Sequence, residues 1–245
     1  MNKTSLTNIT SDLHGQYKDT KAWKAHLAAV SDLQPDTHVI IGDFLDCASV
    51  SRHAKSEMSP LTLGEEYDIG NNDLDTLEKK LGKTVKRKVF LAGNHEDRIN
   101  AYAFNQAPNI GTALKSVKEG LNLEKRGWEY VPYEKQLRLG KLIVAHGYYV
   151  NQYSAAKHVN SFGHSIIVGH THGHQSHVVT HGDSPHIGMT IGCLCQIGQK
   201  YLRGRPQPWM HGFGIVYHKG ENFFPYFVPI IEGQAVLGGK VYGGA

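Results

Sequence analysis

Residues 38–46 read His-Val-Ile-Ile-Gly-Asp-Phe-Leu-Asp, an apolar run that ends in a glycine and two carboxylates. A continuous β-branched run that stops at a turn residue is typical of a buried strand. Asp43 and Asp46 would then lie just beyond the C-terminal end of that strand. Open α/β sheets place their chemistry at this end of their strands. The stretch therefore predicts a buried sheet with a polar site at its edge.

Four further stretches repeat this arrangement of an apolar run followed by polar side chains. Any one such motif occurs by chance in many proteins, as a turn carboxylate or a surface imidazole. Five in series, each behind a predicted strand, are much harder to explain in that way. Together they supply enough carboxylate, amide and imidazole groups for two adjacent metal ions. The four are Asp12-Leu13-His14, Gly93-Asn94-His95-Glu96, Ala145-His146-Gly147 and Gly169-His170-Thr171-His172.

From residue 5 to about residue 173, the motif series resembles that of the calcineurin-like metallophosphoesterases. The resemblance implies an α/β (α+β) fold: a four-layer αββα sandwich of two mixed β-sheets flanked by helices, with a dinuclear metal site at one sheet edge. It also implies a distribution of the metal ligands between two ions. Asp12, His14 and His172 would hold one ion, Asn94, His146 and His170 the other, and Asp43 would bridge both.

These residue types suit that chemistry. Carboxylate, amide and imidazole ligands favour divalent ions, of which we expect Mn²⁺, with Fe²⁺, Zn²⁺ and Ni²⁺ as alternatives. No cysteine is among the candidates, so a closed structural zinc site is not expected. Only two of the seven ligands are carboxylates, so two dications would keep a positive charge that attracts phosphate. Such a pair, about 3.5–4 Å apart, can clamp the attacking and leaving oxygens and bring the pKa of bound water toward about 7.

The resemblance assigns catalytic roles to His95 and Asp46. His95 would meet the substrate and protonate the leaving oxygen, a contribution that is typically about 10²–10⁴-fold. Asp46 would orient His95.

One departure from related motifs concerns the residue that binds the phosphate. In phosphoprotein phosphatases the second motif continues as Asp-Arg-Gly, whereas here Cys47 and Ala48 follow Asp46. This argues against a phosphoprotein phosphatase and leaves the phosphate-binding cation open. Our candidates are Arg52, His53 and Lys55, which leave the same strand end, and Arg98. A solvated loop or helix start is the alternative interpretation of residues 51–55.

The 245 residues, 40% hydrophobic and 20% charged, predict a single soluble globular domain over 1–245. The resemblance implies that it is a metallophosphoesterase domain. No apolar stretch is long enough to cross a bilayer, and the N-terminus lacks the apolar core of a secretory signal. Three cysteines do not suggest a disulfide framework. We therefore expect a cytoplasmic protein. The pattern from Cys193-Leu194-Cys195 to Gly212-Phe213 resembles phage-encoded family members, for which this would be the host cytoplasm.

Apolar periodicity and turn residues predict the elements that carry these motifs. Residues 48–72 are polar and are expected to form a loop-like rim over the site. Hairpins are predicted around Gly140 and around residues 219–222. Strands are expected at Ser5–Thr10, 38–41, 88–92 and 165–168, and helices at 18–33, 73–81, 112–126, 152–162 and from Glu96 to before Pro108.

These observations predict a metal-dependent phosphoester hydrolase with a bridging hydroxide that attacks phosphorus in line. We favour a phosphodiesterase acting on nucleic acid or nucleotide-like substrates, because the full ligand set with its Gly-His-x-His pair resembles phosphodiesterases and nucleases. One alternative is a phosphomonoesterase for small molecules or proteins. Another is a catalytically silent metal-binding scaffold, against which the presence of His95 argues. The expected partner is a phosphoester substrate, for which DNA and RNA are candidates. We do not expect membrane binding, and the sequence leaves the oligomeric state open.

Overall fold

The computed structural model describes residues 4–52, 61–106, 109, 113–182, 184–198 and 204–244. The helices are α1 (Thr20–Leu33), α2 (Leu63–Leu81), α3 (Asn94–Asn105), α4 (Val117–Gly120) and α5 (Ser154–Phe162), with short 3-10 helices at Gly15–Tyr17 and Ala48–Val50. The strands are β1 (Ser5–Thr10), β2 (Thr37–Ile41), β3 (Arg87–Leu91), β4 (Glu129–Val131), β5 (Leu137–Leu139), β6 (Leu142–Ala145), β7 (Ile166–Val168), β8 (His174–His181), β9 (Ser184–Ile191), β10 (Gly212–Lys219), β11 (Asn222–Ile231), β12 (Gln234–Leu237) and β13 (Lys240–Gly243).

The strands form two mixed sheets. The larger sheet has the order β13-β12-β11-β10-β1-β2-β3-β4, in which β1 to β4 run parallel and β10 to β13 antiparallel. The smaller sheet has the order β5-β6-β7-β9-β8, and β6, β7 and β9 run parallel within it. The parallel strands thus form one half of the larger sheet, up to its β4 edge, and the middle of the smaller sheet.

The side chains of β2 show how the layers are built. Val39 and Ile41 point between the sheets, where they join a cluster with Val144 and Ile167 of the smaller sheet. Ile40 points the other way, into a cluster formed with α1 and α2. On the far side of the smaller sheet, α5 completes the fourth layer with Val159 among its buried residues. The predicted αββα sandwich is confirmed.

Two of the sequence-based predictions are wrong at the level of elements. Residues 48–72 are not loop throughout, because α2 begins at Leu63, ten residues before the predicted start at Asp73. A capping box of Thr62 and Glu65 starts this helix. Gly70 and the neighbouring polar residues weaken the helical signal. The glycine is needed because the side chains of Leu45 and Leu121 lie where its Cβ would be.

The second error is the helix predicted over 112–126. Within the described residues of this stretch, only Val117–Gly120 is helical, and turns follow up to Gly127. The remaining helices and strands, and both hairpins, are confirmed with small shifts at their ends. Among the described residues, no helix combines the length and the apolar character required to cross a membrane.

Candidate metal centre

The candidate site lies where strands of both sheets end. β1, β2 and β3 are parallel neighbours, and Asp12, Asp43 and Asn94 follow their C-terminal ends. β6 and β7 are parallel neighbours in the other sheet, and His146 and His170 follow them. Because the two sheets face each other, the ends of five strands deliver these side chains to one place.

A first cluster contains Asp12, His14 and His172. Nε2 of His172 lies 3.2 Å from Oδ1 of Asp12 and 3.2 Å from Nε2 of His14. Nε2 of His14 lies 4.0 Å from Oδ1 of Asp12 and 3.9 Å from Oδ2 of Asp43. One ligand atom from each of these four residues lies within 4.8 Å of the others, an arrangement that could hold one ion.

A second cluster contains Asn94, His146 and His170. Nε2 of His146 lies 2.9 Å from Oδ1 of Asn94 and 3.1 Å from Nδ1 of His170. The same nitrogen is 3.3 Å from Oδ2 of Asp43. The ligand atoms of Asp43, His146 and His170 also lie within 4.8 Å of one another. The structure thus brings all seven predicted ligands together, in two groups that share Asp43.

Asp43 is placed between the groups by its two oxygens. Its Oδ1 accepts the backbone N–H of His95 at 2.9 Å. Its Oδ2 faces three imidazoles and lies 3.9 Å from Nε2 of His14, 3.7 Å from Nε2 of His95 and 3.3 Å from Nε2 of His146. One oxygen is therefore anchored to the start of α3, while the other is directed at the centre.

Two observations fit these residues to divalent cations. Oδ1 of Asp12 is buried and accepts no hydrogen bond of good geometry among the described residues, although Nε2 of His172 lies 3.2 Å away. Its Oδ2 accepts from the Ser11 hydroxyl and the His170 backbone N–H. The Nε2 atoms of His14 and His172 face each other, where they can share only one proton. Buried lone pairs without donors are costly unless a cation binds them. Oxygen and imidazole donors suit Mn²⁺, Fe²⁺, Ni²⁺ and Zn²⁺.

The charges of Asp12 and Asp43 affect the neighbouring imidazoles. Burial opposes their protonation, but Asp12 raises the pKa of His172 to about 10, and Asp43 raises the pKa of His146 to about 9. Burial, together with the charge of His146, lowers the pKa of His170 to about 4. The negative centre thus favours positive charge on adjacent rings, and cation binding would release those protons.

The backbone is strained at the same positions. Among the described residues, nine other than glycine have a positive φ, and five of them are predicted ligands. Such a conformation costs about 1–3 kcal/mol and persists only where the surrounding structure enforces it, as it often does at functional sites. The five, with φ between 50° and 66°, are Asp12, His14, Asp43, His170 and His172.

The residues predicted to act on the substrate lie beside the clusters. Nδ1 of His95 is 2.9 Å from the backbone oxygen of Asp46 and 3.1 Å from its Oδ1, which also lies 2.9 Å from Nδ1 of His14. Burial favours the neutral form of Asp46, but hydrogen bonds from the two histidines hold the pKa of its carboxyl well below the usual range. Arg98 donates to the Asp46 backbone oxygen at 2.9 Å and to Nε2 of His95 at 2.8 Å.

The other predicted substrate-binding residues differ in placement. Arg52 is exposed just after the 3-10 helix Ala48–Val50, and within the described part of the chain no hydrogen bond or ion pair joins it to the ligand clusters. His53 and Lys55 lie outside the described residues. Of the four candidates, the structure brings Arg98 to the centre.

Glu96 supports the site in a way that the sequence analysis missed. Its buried carboxylate accepts the backbone N–H groups of Asp43 at 2.9 Å, Leu45 at 2.8 Å and Gly93 at 2.7 Å. Burial, with the charge of Asp43, raises its pKa to about 7. Glu96 belongs to the Gly-Asn-His-Glu motif, and its position two residues after Asn94 at a helix start was a usable signal for this capping role.

Three further neighbours of the ligands were not predicted either. The ring of Tyr133 lies 6.0 Å from that of His146, and the ring of Trp209 lies 4.2 Å from that of His172. Sγ of Cys195 is 3.6 Å from Nδ1 of His172. These residues are far in sequence from the motifs, so no local pattern marks them.

Known proteins resemble the chain along most of its length. The sequence profile of calcineurin-like phosphoesterases matches residues 7–188, which include all seven candidate ligands. The Gene 54 proteins of Mycobacterium phages L5 and D29 are each 29% identical to the chain, covering 96% of it and 97% of their own length. The structure of Vacuolar Protein Sorting 29 from Cryptosporidium parvum has a TM-score of 0.50 at 12% identity, covers 98% of this chain and 99% of that chain, and shows the same fold. Profile, fold and clustered ligands agree: the chain belongs to the calcineurin-like phosphoesterase family and is a metal-dependent phosphoester hydrolase.

Proposed function

We propose that the protein is a phosphodiesterase with two metal ions that acts on nucleic acid or nucleotide-like substrates. The observation that carries the two-ion centre is the position of Asp43, whose Oδ2 belongs to both ligand clusters. A carboxylate oxygen shared by two groups of lone pairs suits a bridging ligand.

Asp12, His14 and His172 would hold one ion, and Asn94, His146 and His170 the other. When bound, two such ions clamp the attacking and leaving oxygens of an in-line displacement and supply hydroxide near neutral pH. The proposed ion is Mn²⁺, because three of the seven ligands are oxygen donors and the other four are imidazoles. Fe²⁺, Zn²⁺ and Ni²⁺ are accepted by the same donors.

The protein's own contribution to the chemistry comes from His95, Asp46 and Arg98. Nε2 of His95 faces the centre, 3.7 Å from Oδ2 of Asp43. When Arg98 turns from this nitrogen to the phosphate, Nε2 can carry the proton that the leaving oxygen needs. Asp46 orients the ring through its Nδ1. Arg98 contacts Nε2 of His95 at 2.8 Å and would bind a non-bridging phosphate oxygen. It would thus replace the arginine that follows the second motif in phosphoprotein phosphatases, where this chain has Cys47 and Ala48. Arg52, His53 and Lys55 remain second choices for that role.

The preference for nucleotide-like substrates is supported by aromatic side chains on both sides of the centre. Tyr133 flanks His146, the ring of Tyr148 lies 6.4 Å from that of Tyr133, and Trp209 flanks His172. All three are partly exposed. Burial and the charge of Asp43 raise the pKa of Tyr133, so its hydroxyl stays neutral. Stacking of a base on an aromatic ring contributes about 1–3 kcal/mol, which a substrate combining phosphate and bases can use.

The test compares hydrolysis of bis(p-nitrophenyl) phosphate and p-nitrophenyl phosphate by the full chain, with Mn²⁺ and with a chelator. We expect Mn²⁺-dependent cleavage of the diester and little of the monoester. Exclusive monoester cleavage would support the phosphomonoesterase instead. Failure to cleave these or single-stranded, duplex and cyclic nucleotide substrates, despite bound metal, would favour the scaffold.

Variants separate the proposed roles. His95→Ala should lower kcat by about 10²–10⁴-fold on substrates with a poor leaving group, while Mn²⁺ binding is retained. Arg98→Ala should mainly raise KM. The matched controls are His177→Ala and Arg138→Ala, which alter exposed side chains on β8 and β5 and should leave turnover unchanged. Equal changes of KM in Arg98→Ala and Arg138→Ala would refute the proposed contact between Arg98 and the phosphate.

A further inference from the structure

Three of the four candidate imidazole ligands, His14, His146 and His172, direct Nε2 to the centre and make an outer contact through Nδ1. Nδ1 of His14 is 2.9 Å from the Asp46 carboxylate, and Nδ1 of His146 is 2.8 Å from the backbone oxygen of Ile41. Because Nε2 faces the centre in both rings, Nδ1 carries the proton and donates it. Outer hydrogen bonds of this kind fix the tautomer and orientation of a ligand histidine.

His172 has a different outer partner. Its Nε2 faces Asp12 and His14, and its Nδ1 lies 3.6 Å from Sγ of Cys195. Cys195 is a free, fully buried cysteine. The sulfur occupies the position that a carboxylate occupies beside His14 and a carbonyl oxygen occupies beside His146. A neutral thiol sulfur is a weaker acceptor than either of them.

The backbone around Cys195 holds the sulfur in place. The Cys195 carbonyl accepts from Nε2 of His211 at 2.7 Å. The next residue, Gln196, donates its N–H to the Tyr17 carbonyl at 2.8 Å. The preceding residue, Leu194, donates its N–H to the carbonyl of Asp12 at 3.1 Å. The cysteine is thus tied to the loop of the very carboxylate that His172 faces.

We propose that Cys195 is a positioning residue of the metal centre: its sulfur accepts the Nδ1–H of His172 and directs Nε2 of that ring to the ion. The proposal rests on the two-ion centre proposed above, and it concerns the cluster of Asp12, His14 and His172 only.

The direct test measures Mn²⁺ binding to the metal-stripped full chain by titration calorimetry. Cys195→Ala should weaken one of the two binding events by about 10–100-fold, the usual effect of losing such an outer partner. Cys195→Ser should recover part of the loss, because its hydroxyl also accepts a hydrogen bond. The matched control is Cys193→Ala, which removes an equally buried thiol two residues away and should bind as the wild type does.

A second readout follows the ring itself. In the diamagnetic Zn²⁺-loaded protein, the Nδ1–H of His172 should give a protected signal in ¹⁵N-edited spectra. That signal should exchange rapidly with water or disappear in Cys195→Ala, while the signals of His14 and His146 persist. Cys195→Ser serves for the same measurement where Cys195→Ala does not fold.

Three results would overturn the proposal. The first is wild-type affinity at both sites in Cys195→Ala, and the second is an equal loss in Cys193→Ala, which would indicate packing. The third is a thiolate-to-metal absorption band in the Co²⁺-loaded wild type, which would make Cys195 a ligand. The proposed phosphodiesterase fails separately: metal binding that depends on Cys195 without hydrolysis of any phosphoester removes the function and leaves this inference standing.

Discussion

Asp43 illustrates how strongly single residues depend on their surroundings here. Its Oδ1 accepts the N–H of His95, its own N–H donates to Glu96, and its Oδ2 faces the centre. This geometry requires the chain after β3 to pass very close to the carboxylate. Gly93 makes that approach feasible, because a Cβ there would overlap both the carboxylate and the backbone nitrogen of Asp43.

The Gly93→Ala variant should therefore displace Asp43 and abolish Mn²⁺ binding and turnover. Calorimetry and diester hydrolysis measure these losses. Gly64→Ala is the matched control, since the Cβ would lie 3.8 Å from its nearest neighbour, Oγ1 of Thr62, in an exposed helical turn. It should keep full activity and gain up to about 1 kcal/mol in unfolding free energy. Full metal binding by Gly93→Ala would contradict this account of the loop.

At the scale of elements, the start of α3 links two loops of the site. Glu96 lies in the first turn of α3 and accepts N–H groups from the loops after β2 and β3. Glu65 occupies the equivalent capping position at the start of α2, where it is exposed and, among the described residues, accepts only from Thr62. The same capping motif thus holds loops of the site at the start of α3, whereas at the start of α2 it stabilises the helix alone.

Replacing each glutamate by glutamine should separate these roles. Glu96→Gln places an amide NH₂ against buried N–H donors, so we expect a loss of at least about 1–3 kcal/mol in unfolding free energy together with weaker metal binding. Glu65→Gln should cost no more than about 1 kcal/mol, because its amide oxygen still accepts from the exposed Thr62 N–H. Urea unfolding and calorimetry provide the comparison, and equal losses in the two variants would refute it.

The packing of α1 on β1 and β2 buries two histidines away from the metal centre. Burial, with the charge of Lys88, lowers the pKa of His38 to about 3. Burial, with the charge of His38, lowers the pKa of His26 well below its ordinary value. Nε2 of His26 is 3.0 Å from Oδ1 of Asn8, while Nδ1 of both histidines has no partner among the described residues. Both rings are neutral in the folded protein.

This burial predicts a pH dependence of stability. Below about pH 6.5 the unfolded chain binds protons at both histidines, whereas folded His38 does not until about pH 3. The unfolding free energy should therefore decrease as pH falls from about 6.5 toward 3, by up to about 1.4 kcal/mol per pH unit and histidine. His38→Gln should show a shallower decrease in urea unfolding than the wild type. The exposed control His177→Gln should keep the wild-type slope; identical slopes in all three proteins would exclude the explanation.

In the whole molecule, the candidate ligands come from both sheets. Asp12, Asp43 and Asn94 follow strands of the larger sheet, and His146 and His170 follow strands of the smaller one. Two metal ions bound between these ligands would connect the two sheets at their edge, in addition to the apolar core between the layers. Metal binding should therefore stabilise the fold as a unit.

At a free Mn²⁺ concentration of about 100 times its dissociation constant, the unfolding free energy should rise by about 2.7 kcal/mol. For a chain of this size that corresponds to an increase in Tm of about 5–10 °C. Calorimetric unfolding with Mn²⁺ and with a chelator measures the shift. Asp43→Asn should show little of it, and a wild-type Tm that does not respond to any of the candidate metals would speak against the centre.

How far the sequence alone leads can be judged from particular residues. Ile40 and Ile41 belong to a run whose composition already indicates a buried strand, and Asp43 follows directly. The ligands come from such strand ends, so the motif series also predicted their convergence. The early start of α2 was missed because Gly70 weakens the local signal and packing against Leu45 and Leu121 outweighs it.

The sequence by itself determined the order of the strand-end motifs, because it depends on short-range patterns of apolar and polar residues. The resemblance that those motifs carry implied the sandwich and the seven candidate ligands. Only the tertiary structure decided that Arg98 contacts His95, that Glu96 holds two loops and that Cys195 meets His172. Except for the neighbouring helix positions of His95 and Arg98, these contacts join segments distant in the chain. Their geometry is set by which strands are neighbours within each sheet and by the path of the loops that follow them, which no local pattern encodes.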